Sequence, residues 1–197
     1  MNFLAHFWLT DRAQLPLAGA LLGDVLRGAL PPQMPPALAA SVTLHRRVDA
    51  TTDRHPRVAA VRASFPPGAR RYSGILLDLL FDHVLARDWA AYSTQPLPAF
   101  ADRAARAVHE AGAWFEQAGE RRPEVAPFSA LLQSYATAPG IERAIERTAR
   151  RLRVPAGLLD AAAGWPGRLP GLAQDLPVLL SDLAGLQPGS GQSLMGS

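Results

Sequence analysis

Three pairs of polar side chains recur at a four-residue step in the first half of the chain: Asn2/His6, His45/Asp49 and Asp78/Asp82, the last followed at once by His83. Residues four apart on a helix lie one above the other. Each pair can therefore aim two oxygen or nitrogen donors at one spot, which is how helical bundles assemble metal centres. The segment Ile75–Leu85 is apolar nearly all round except for Asp78, Asp82 and His83, the pattern of a buried central helix. Unpaired carboxylates inside a core are costly, so something positive must face them. Two readings stand: an arginine partner, for which Arg27, Arg46 or Arg47 would serve, or a divalent cation.

His45 and Asp49 share a helix face that Thr52 and Asp53 continue. His6 interrupts the apolar run Phe3–Leu9, with Asn2 one turn earlier, where it would serve either as a helix cap or in catalysis. Asp24 sits among apolar residues with Arg27 one turn on. That pair is either a plain ion pair or a metal ligand or base beside an arginine that clamps phosphate. Carboxylates mixed with imidazole, without thiolates, favour Mn²⁺, Mg²⁺ or Fe²⁺ over a structural zinc.

The elements that must position these residues are helical throughout. Leu, Ala, Val and Phe recur at three- and four-residue steps, and no alternating strand pattern appears. The pattern predicts helices over 2–10, 16–27, 37–53, 56–63, 71–91, 98–118, 124–136, 140–153 and 170–186, with a shorter turn near 156–163. Pro16, Pro56 and Pro98 suit first helical turns, where a missing N–H costs nothing, and Gly28 and Gly119 suit helix stops. Phe65-Pro66-Pro67-Gly68 reads as a break. The expectation is an all-α, single-domain helical bundle over 1–187, with a Gly/Ser-rich flexible tail over 188–197.

Composition narrows the function. With no cysteine among 197 residues, disulfides, zinc-thiolate sites and thiol nucleophiles are excluded, and a cytoplasmic protein is expected. No apolar run is long enough to span a membrane, and no signal-peptide pattern opens the chain. The positive charge is all arginine, concentrated at Arg143, Arg147, Arg150, Arg151 and Arg153 and again at Arg54, Arg57, Arg62, Arg70 and Arg71. Such patches attract an acidic partner. His55 and His109 read as solvated, and Trp8, Trp89, Trp114 and Trp165 as core or groove residues rather than a base-stacking platform. Phosphate-binding loops, dinucleotide glycine motifs and nucleophile elbows are absent from the sequence.

Four stretches together resemble a known family. Met1-Asn2-Phe3-Leu4-Ala5-His6, the Gly-X-Leu-Leu-X-Asp-X-X-Arg-Gly pattern over 19–28, His-Arg-Arg-X-Asp over 45–49 and Leu-Asp-X-X-X-Asp-His over 77–83 are similar, in order and spacing, to the acyl-carrier-protein phosphodiesterases. The likeness covers about residues 1–90; beyond that it extends to length and helicity. It implies an HD-phosphohydrolase-like helical fold and Mn²⁺-dependent removal of 4′-phosphopantetheine from holo acyl carrier protein. It makes His6, Asp24, His45, Asp49, Asp78, Asp82 and His83 candidates for the metal centre. On this reading Arg27 holds the phosphate, Asp24 is ligand or base, and His45 or His83 protonates the departing serine oxygen. The implied partner is an acidic carrier protein, with neither nucleic acid nor membrane. The rivals are an HD-like hydrolase acting on nucleotides and a non-catalytic module that binds carrier protein through its arginines.

Overall fold

A computed structural model describes residues 3–186, so Asn2 and the tail over 188–197 lie outside the described residues. Within them the chain forms one all-α arrangement of eleven α-helices and two short 3₁₀ turns, with no strand. They are α1 (Phe3–Arg12), α2 (Gly19–Val25), α3 (Pro36–Arg54), α4 (Pro56–Ala63), α5 (Pro67–Arg87), α6 (Leu97–Glu110), α7 (Gly112–Gln117), α8 (Val125–Ser134), α9 (Ala138–Ala149), α10 (Pro155–Ala162) and α11 (Leu169–Ala184).

The apolar run expected to be central is central: α5 touches α1, α4, α9, α10 and α11. Leu76, Leu80, Val84 and Leu85 on it are wholly buried. Helices α1, α2 and α3 pack together on one side, and α6 pairs with α8.

Several expected boundaries shift for local reasons. The stretch 16–27 yields only α2, because 16–18 form turns and Leu26 is extended. Arg46 replaces the missing turn, its guanidinium donating to the Leu26 and Gly28 carbonyls at 2.8 Å each. Gly28 is left-handed at φ 69°, as a stop glycine should be. Pro16 consequently precedes α2, whereas Pro56 opens α4 and Pro98 lies in the first turn of α6. The expected 98–118 helix divides at Ala111 into α6 and α7. There Gly112 lies directly beneath the Arg122 side chain, where any Cβ would collide. The break at 65–68 shrinks because Pro67 starts α5. The 71–91 helix ends at Arg87 and continues as a 3₁₀ turn, Trp89–Ala91. The turn near 156–163 is a full helix, α10, while 150–153 fall in the connection after α9.

Burial corrects two histidines. His55 is 8 % exposed: its Nδ1 accepts the Arg57 backbone N–H at the start of α4, and its Nε2 meets Asp182 on α11 at 3.1 Å. His109 is half-buried and donates from Nδ1 to the Pro123 carbonyl at 3.0 Å. Neither is a solvated surface histidine. Trp8, Trp89 and Trp165 are buried and Trp114 is half-buried, as core and groove residues.

The buried carboxylate Asp82 does structural work on α1. It is fully enclosed, and its oxygens accept the backbone N–H groups of Leu4 at 2.6 Å and Ala5 at 3.0 Å. These are orphan donors of the first helical turn, and a carboxylate there also meets the positive end of the helix dipole. Burial pushes the Asp82 carboxyl up to about 7, against the opposing pull of the Ala5 and Leu4 donors. Replacing Asp82 by Ala strands two buried N–H groups at roughly 1–3 kcal/mol each. Urea unfolding of Asp82→Ala should lose about 2–5 kcal/mol on that basis. Asp82→Asn, which keeps one acceptor, should lose less; equal stability of all three proteins would refute the cap.

Candidate functional site

Helix α3 supplies the axis of the site. Ser41, His45 and Asp49 follow one another at four-residue steps along one face, and α2 lies against that face through two glycines at the same spacing. A Cβ at Gly19 would overlap the Ser41 side chain, and one at Gly23 would overlap the His45 ring. Ser41 Oγ donates to the Pro16 carbonyl at 2.8 Å, locking the approach. The glycines therefore have a specific use: they let α2 come close enough for Asp24 and the Ala20 carbonyl to reach His45. The Gly-X-X-X-Gly step opposite an equally spaced Ser/His/Asp row was the sequence signal for this contact.

His45 is almost fully buried. Its Nδ1–H donates to the Ala20 carbonyl at 2.8 Å, which turns Nε2 toward Asp49 at 3.1 Å and Asp24 at 3.4 Å. Asp49 divides its carboxylate, Oδ2 to His45 and Oδ1 to His6 Nε2 at 2.9 Å. The two imidazole rings stack, with centroids 3.9 Å apart and planes 22° from parallel.

Two charged rings cannot comfortably sit face to face, and their environments divide the roles. Burial, with the charge of His45 beside it, pulls His6 down to about 4, so its ring is neutral. Burial also works against a charge on His45, but hydrogen bonds to Asp24 and Asp49 outweigh it and raise His45 to about 9. Burial opposes the ionised form of Asp49 as well, yet its bonds to His45 and His6 hold it well below the usual carboxylate range.

The other sequence candidates divide into neighbours and outsiders. Asp78, one turn before Asp82 on α5, lies within electrostatic reach of Asp49 and Asp53, and burial raises its carboxyl. Arg27 is exposed and lines a cleft of about 530 Å³ with Gly23, Asp24, Leu26, Gly28, Arg46, Asp49 and Ala50. Asp24, half exposed, turns to His45, and no Asp24–Arg27 ion pair forms among the described residues. Asp82 and His83 are not brought to the cluster. Asp82 gives both oxygens to α1. His83 donates from Nδ1 to the Tyr135 carbonyl at 2.6 Å and meets Trp165 edge-on at 5.3 Å. Neighbours in sequence diverge by about 100° on a helix, so His83 could not share the face of Asp78 and Asp82.

One donor atom each from His6, His45 and Asp49 lies within 4.8 Å of the others. Ligands of a common first-row divalent ion, bound at about 2.0–2.2 Å, must lie nearly that close. The donor chemistry also fits: a histidine that gives one ring N–H to a backbone carbonyl presents its other nitrogen as a ligand. The His45 Nε2, aimed at two carboxylates, needs a proton or a cation between them. These residues suit a divalent ion with mixed nitrogen and oxygen donors.

Fold and site together define an all-helical protein with a His/His/Asp centre beside an arginine-lined cleft. The chain belongs to the acyl carrier protein phosphodiesterase family, whose model matches residues 1–168. Among similar proteins, one from Serratia proteamaculans (strain 568) is 43 % identical over 105 residues, covering 53 % of this chain and 54 % of the relative. One from Yersinia pestis is 47 % identical over 89 residues, covering 45 % and 46 %. One from Escherichia coli (strain K12 / DH10B) is 42 % identical over 101 residues, covering 51 % and 52 %. All three are named acyl carrier protein phosphodiesterase. The chain thus spans about half the length of the curated relatives it matches. No solved structure matches.

The divided histidines can be read directly. In chelator-treated protein, ring-proton NMR should give a His45 midpoint near 9 and a His6 midpoint near 4. The His45 contribution to stability should be complete below its unfolded value near 6.5 and vanish as pH rises through about 9. The His6 contribution has the opposite sense, present above 6.5 and lost as pH falls through about 4. Midpoints near 6.5 for both rings would contradict the shared-carboxylate arrangement.

Proposed function

We propose that the chain hydrolyses the phosphodiester joining 4′-phosphopantetheine to a serine of acyl carrier protein, releasing the apo carrier, in a metal-dependent reaction. The observation that carries this is the His6/His45/Asp49 centre opening beside an arginine-lined cleft, in a chain of this family. A distant HD-like relationship is consistent with a helical His/Asp centre.

His6, His45 and Asp49 would hold the cation, with Asp24 and Asp78 as further oxygen donors at its edge. Mn²⁺, or alternatively Mg²⁺ or Fe²⁺, would supply Lewis acidity, lowering the pKa of water and neutralising phosphoryl charge. Arg27, exposed on the cleft, receives a phosphoryl oxygen there. Arg46, anchored to the Leu26 and Gly28 carbonyls, holds the Arg27 turn in place. His45 is a proton donor only while its Nε2 carries a proton; as a ligand it cannot also protonate the departing serine oxygen. The alternative acid, His83, gives its Nδ1–H to Tyr135 and is held away from this centre.

Carrier recognition is assigned to the arginines of α9 and the connection after it. Arg143, Arg150, Arg151 and Arg153 are exposed, Arg147 is half-buried, and none forms an ion pair among the described residues. In the second cluster Arg57 is bound to Asp175 at 2.6 Å, Arg70 to backbone carbonyls, and Arg71 lies over the Tyr72 ring. Those guanidinium groups are largely engaged within the fold. The expected cellular setting for this substrate is the cytoplasm.

Intact mass of the carrier after incubation with the protein and Mn²⁺ tests the reaction. Holo carrier should lose phosphopantetheine, excess chelator should abolish the loss, and Mn²⁺ should restore it; activity unchanged in chelator sinks the metal requirement. Asp24→Ala should abolish turnover while carrier binding persists. Arg27→Ala should depress kcat, since its contact strengthens as phosphoryl charge develops. Full turnover by either variant removes that residue from the chemistry. Charge reversal at Arg147 and Arg150 should instead raise KM, and kcat/KM of the wild type should fall with ionic strength. A salt-independent kcat/KM would remove the α9 arginines from recognition.

A further inference from the structure

Beyond Asp49 the acidic face of α3 continues to Asp53, one turn farther from His45. On α5 the corresponding steps back from Asp82 are Asp78 and then Gly74. Helix α4, which touches both α3 and α5, spans the end of these two rows with Arg62. Its Nη1 is 3.5 Å from Asp53 Oδ1, and its Cζ lies 3.8 Å from where a Gly74 Cβ would be. Gly74 is thus a bare shelf beneath the guanidinium, whose Nη2 lies 3.9 Å from the same point.

Three neighbouring arginines are committed in a way Arg62 is not. Arg57 is held at 2.6 Å by Asp175, Arg70 by the Ala63 and Phe65 carbonyls, and Arg168 lies over the Phe65 ring at 3.6 Å. Arg62 meets Asp53 at a separation beyond a normal N–H···O bond. The pair is exposed, 37 % at Arg62 and 75 % at Asp53, so it is weak and readily exchanged. A guanidinium with spare donors one helical turn past Asp49 is placed to receive an oxyanion in its planar fork.

We propose that Arg62 is a phosphoryl-binding residue: its guanidinium turns from Asp53 to a phosphate oxygen of the substrate, at the far end of the α3 row from Asp24 and Arg27. This rests on the phosphodiesterase reading above. The phosphate then meets arginine from two sides, with the His/His/Asp centre between. Sequence alone assigned Arg62 to a general basic patch, because its relation to α3 and α5 exists only once α4 folds across them.

The test uses the full chain loaded with Mn²⁺ and compares Arg62→Gln, Arg62→Lys and Asp53→Asn. With holo carrier, Arg62→Gln should lower kcat/KM by about tenfold or more, the loss expected for one charge-assisted contact, and Arg62→Lys should recover part of it. Asp53→Asn should keep wild-type kcat/KM, because it only frees Arg62. If Asp53→Asn falls as far as Arg62→Gln, the ion pair is merely structural and the proposal is overturned. A second readout needs no turnover: inorganic phosphate should raise the melting temperature of the Mn²⁺-loaded wild type, and Arg62→Gln should remove that rise. If wild type hydrolyses the carrier but Arg62→Gln matches it and keeps the phosphate response, Arg62 is not a phosphoryl-binding residue. If wild type shows no hydrolysis while its phosphate response requires Arg62, the phosphodiesterase reading fails and the anion site stands.

Discussion

The carboxylate of Asp49 is the joint on which the centre depends. One oxygen meets His6 of α1 and the other meets His45 of its own helix, and His45 in turn reaches Ala20 and Asp24 of α2. Three helices thereby converge on the His45–Asp49 pair. The shared carboxylate also lets two stacked imidazoles coexist, since it favours a proton on His45 while buried His6 stays neutral. Asp49 itself remains ionised because both rings stabilise its charge.

Such an arrangement tolerates little positional error, and the fold restrains each member from behind. Asp82 holds the first turn of α1, two residues before His6. Gly19 and Gly23 bring α2 against α3, and the Ala20 carbonyl fixes which nitrogen of His45 faces the carboxylates. Arg46 satisfies the carbonyls after α2 and so sets the turn that carries Arg27. In a site preorganised in this way a cation would take the place of the His45 Nε2 proton while the backbone anchor at Ala20 stays made.

Acids and arginines alternate around the centre, which on the proposed reading would suit a reaction on phosphate. Asp24, Asp49 and Asp78 would repel an incoming phosphodiester, whereas a bound cation and arginines at the edges would reverse the local field. The basic residues of α9 stand apart from this chemistry, on a helix that touches α5, α8 and α10. On the proposed reading, binding of an acidic protein and handling of its phosphodiester would be tuned separately.

Much of this was legible in the residues themselves. Apolar periodicity determined the all-helical class and marked α5 as central, because a helix apolar on every side has nowhere to go but the interior. The i, i+4 step also joined His45 to Asp49, a relation that belongs to one helix and needs no tertiary contact. What the sequence could not determine was the direction of each polar side chain once neighbouring helices arrived. Asp82 looked like a ligand, but the start of α1 falls against it and takes both its oxygens. His83 adjoins Asp82 in the chain, yet the 100° helical step turns it to Tyr135. His6 could join Asp49, 43 positions away, only after their two helices had docked. Helix periodicity is local and therefore written in the chain, whereas the partner of a buried polar group is chosen by whichever backbone donor or carboxylate the tertiary fold brings within about 3 Å.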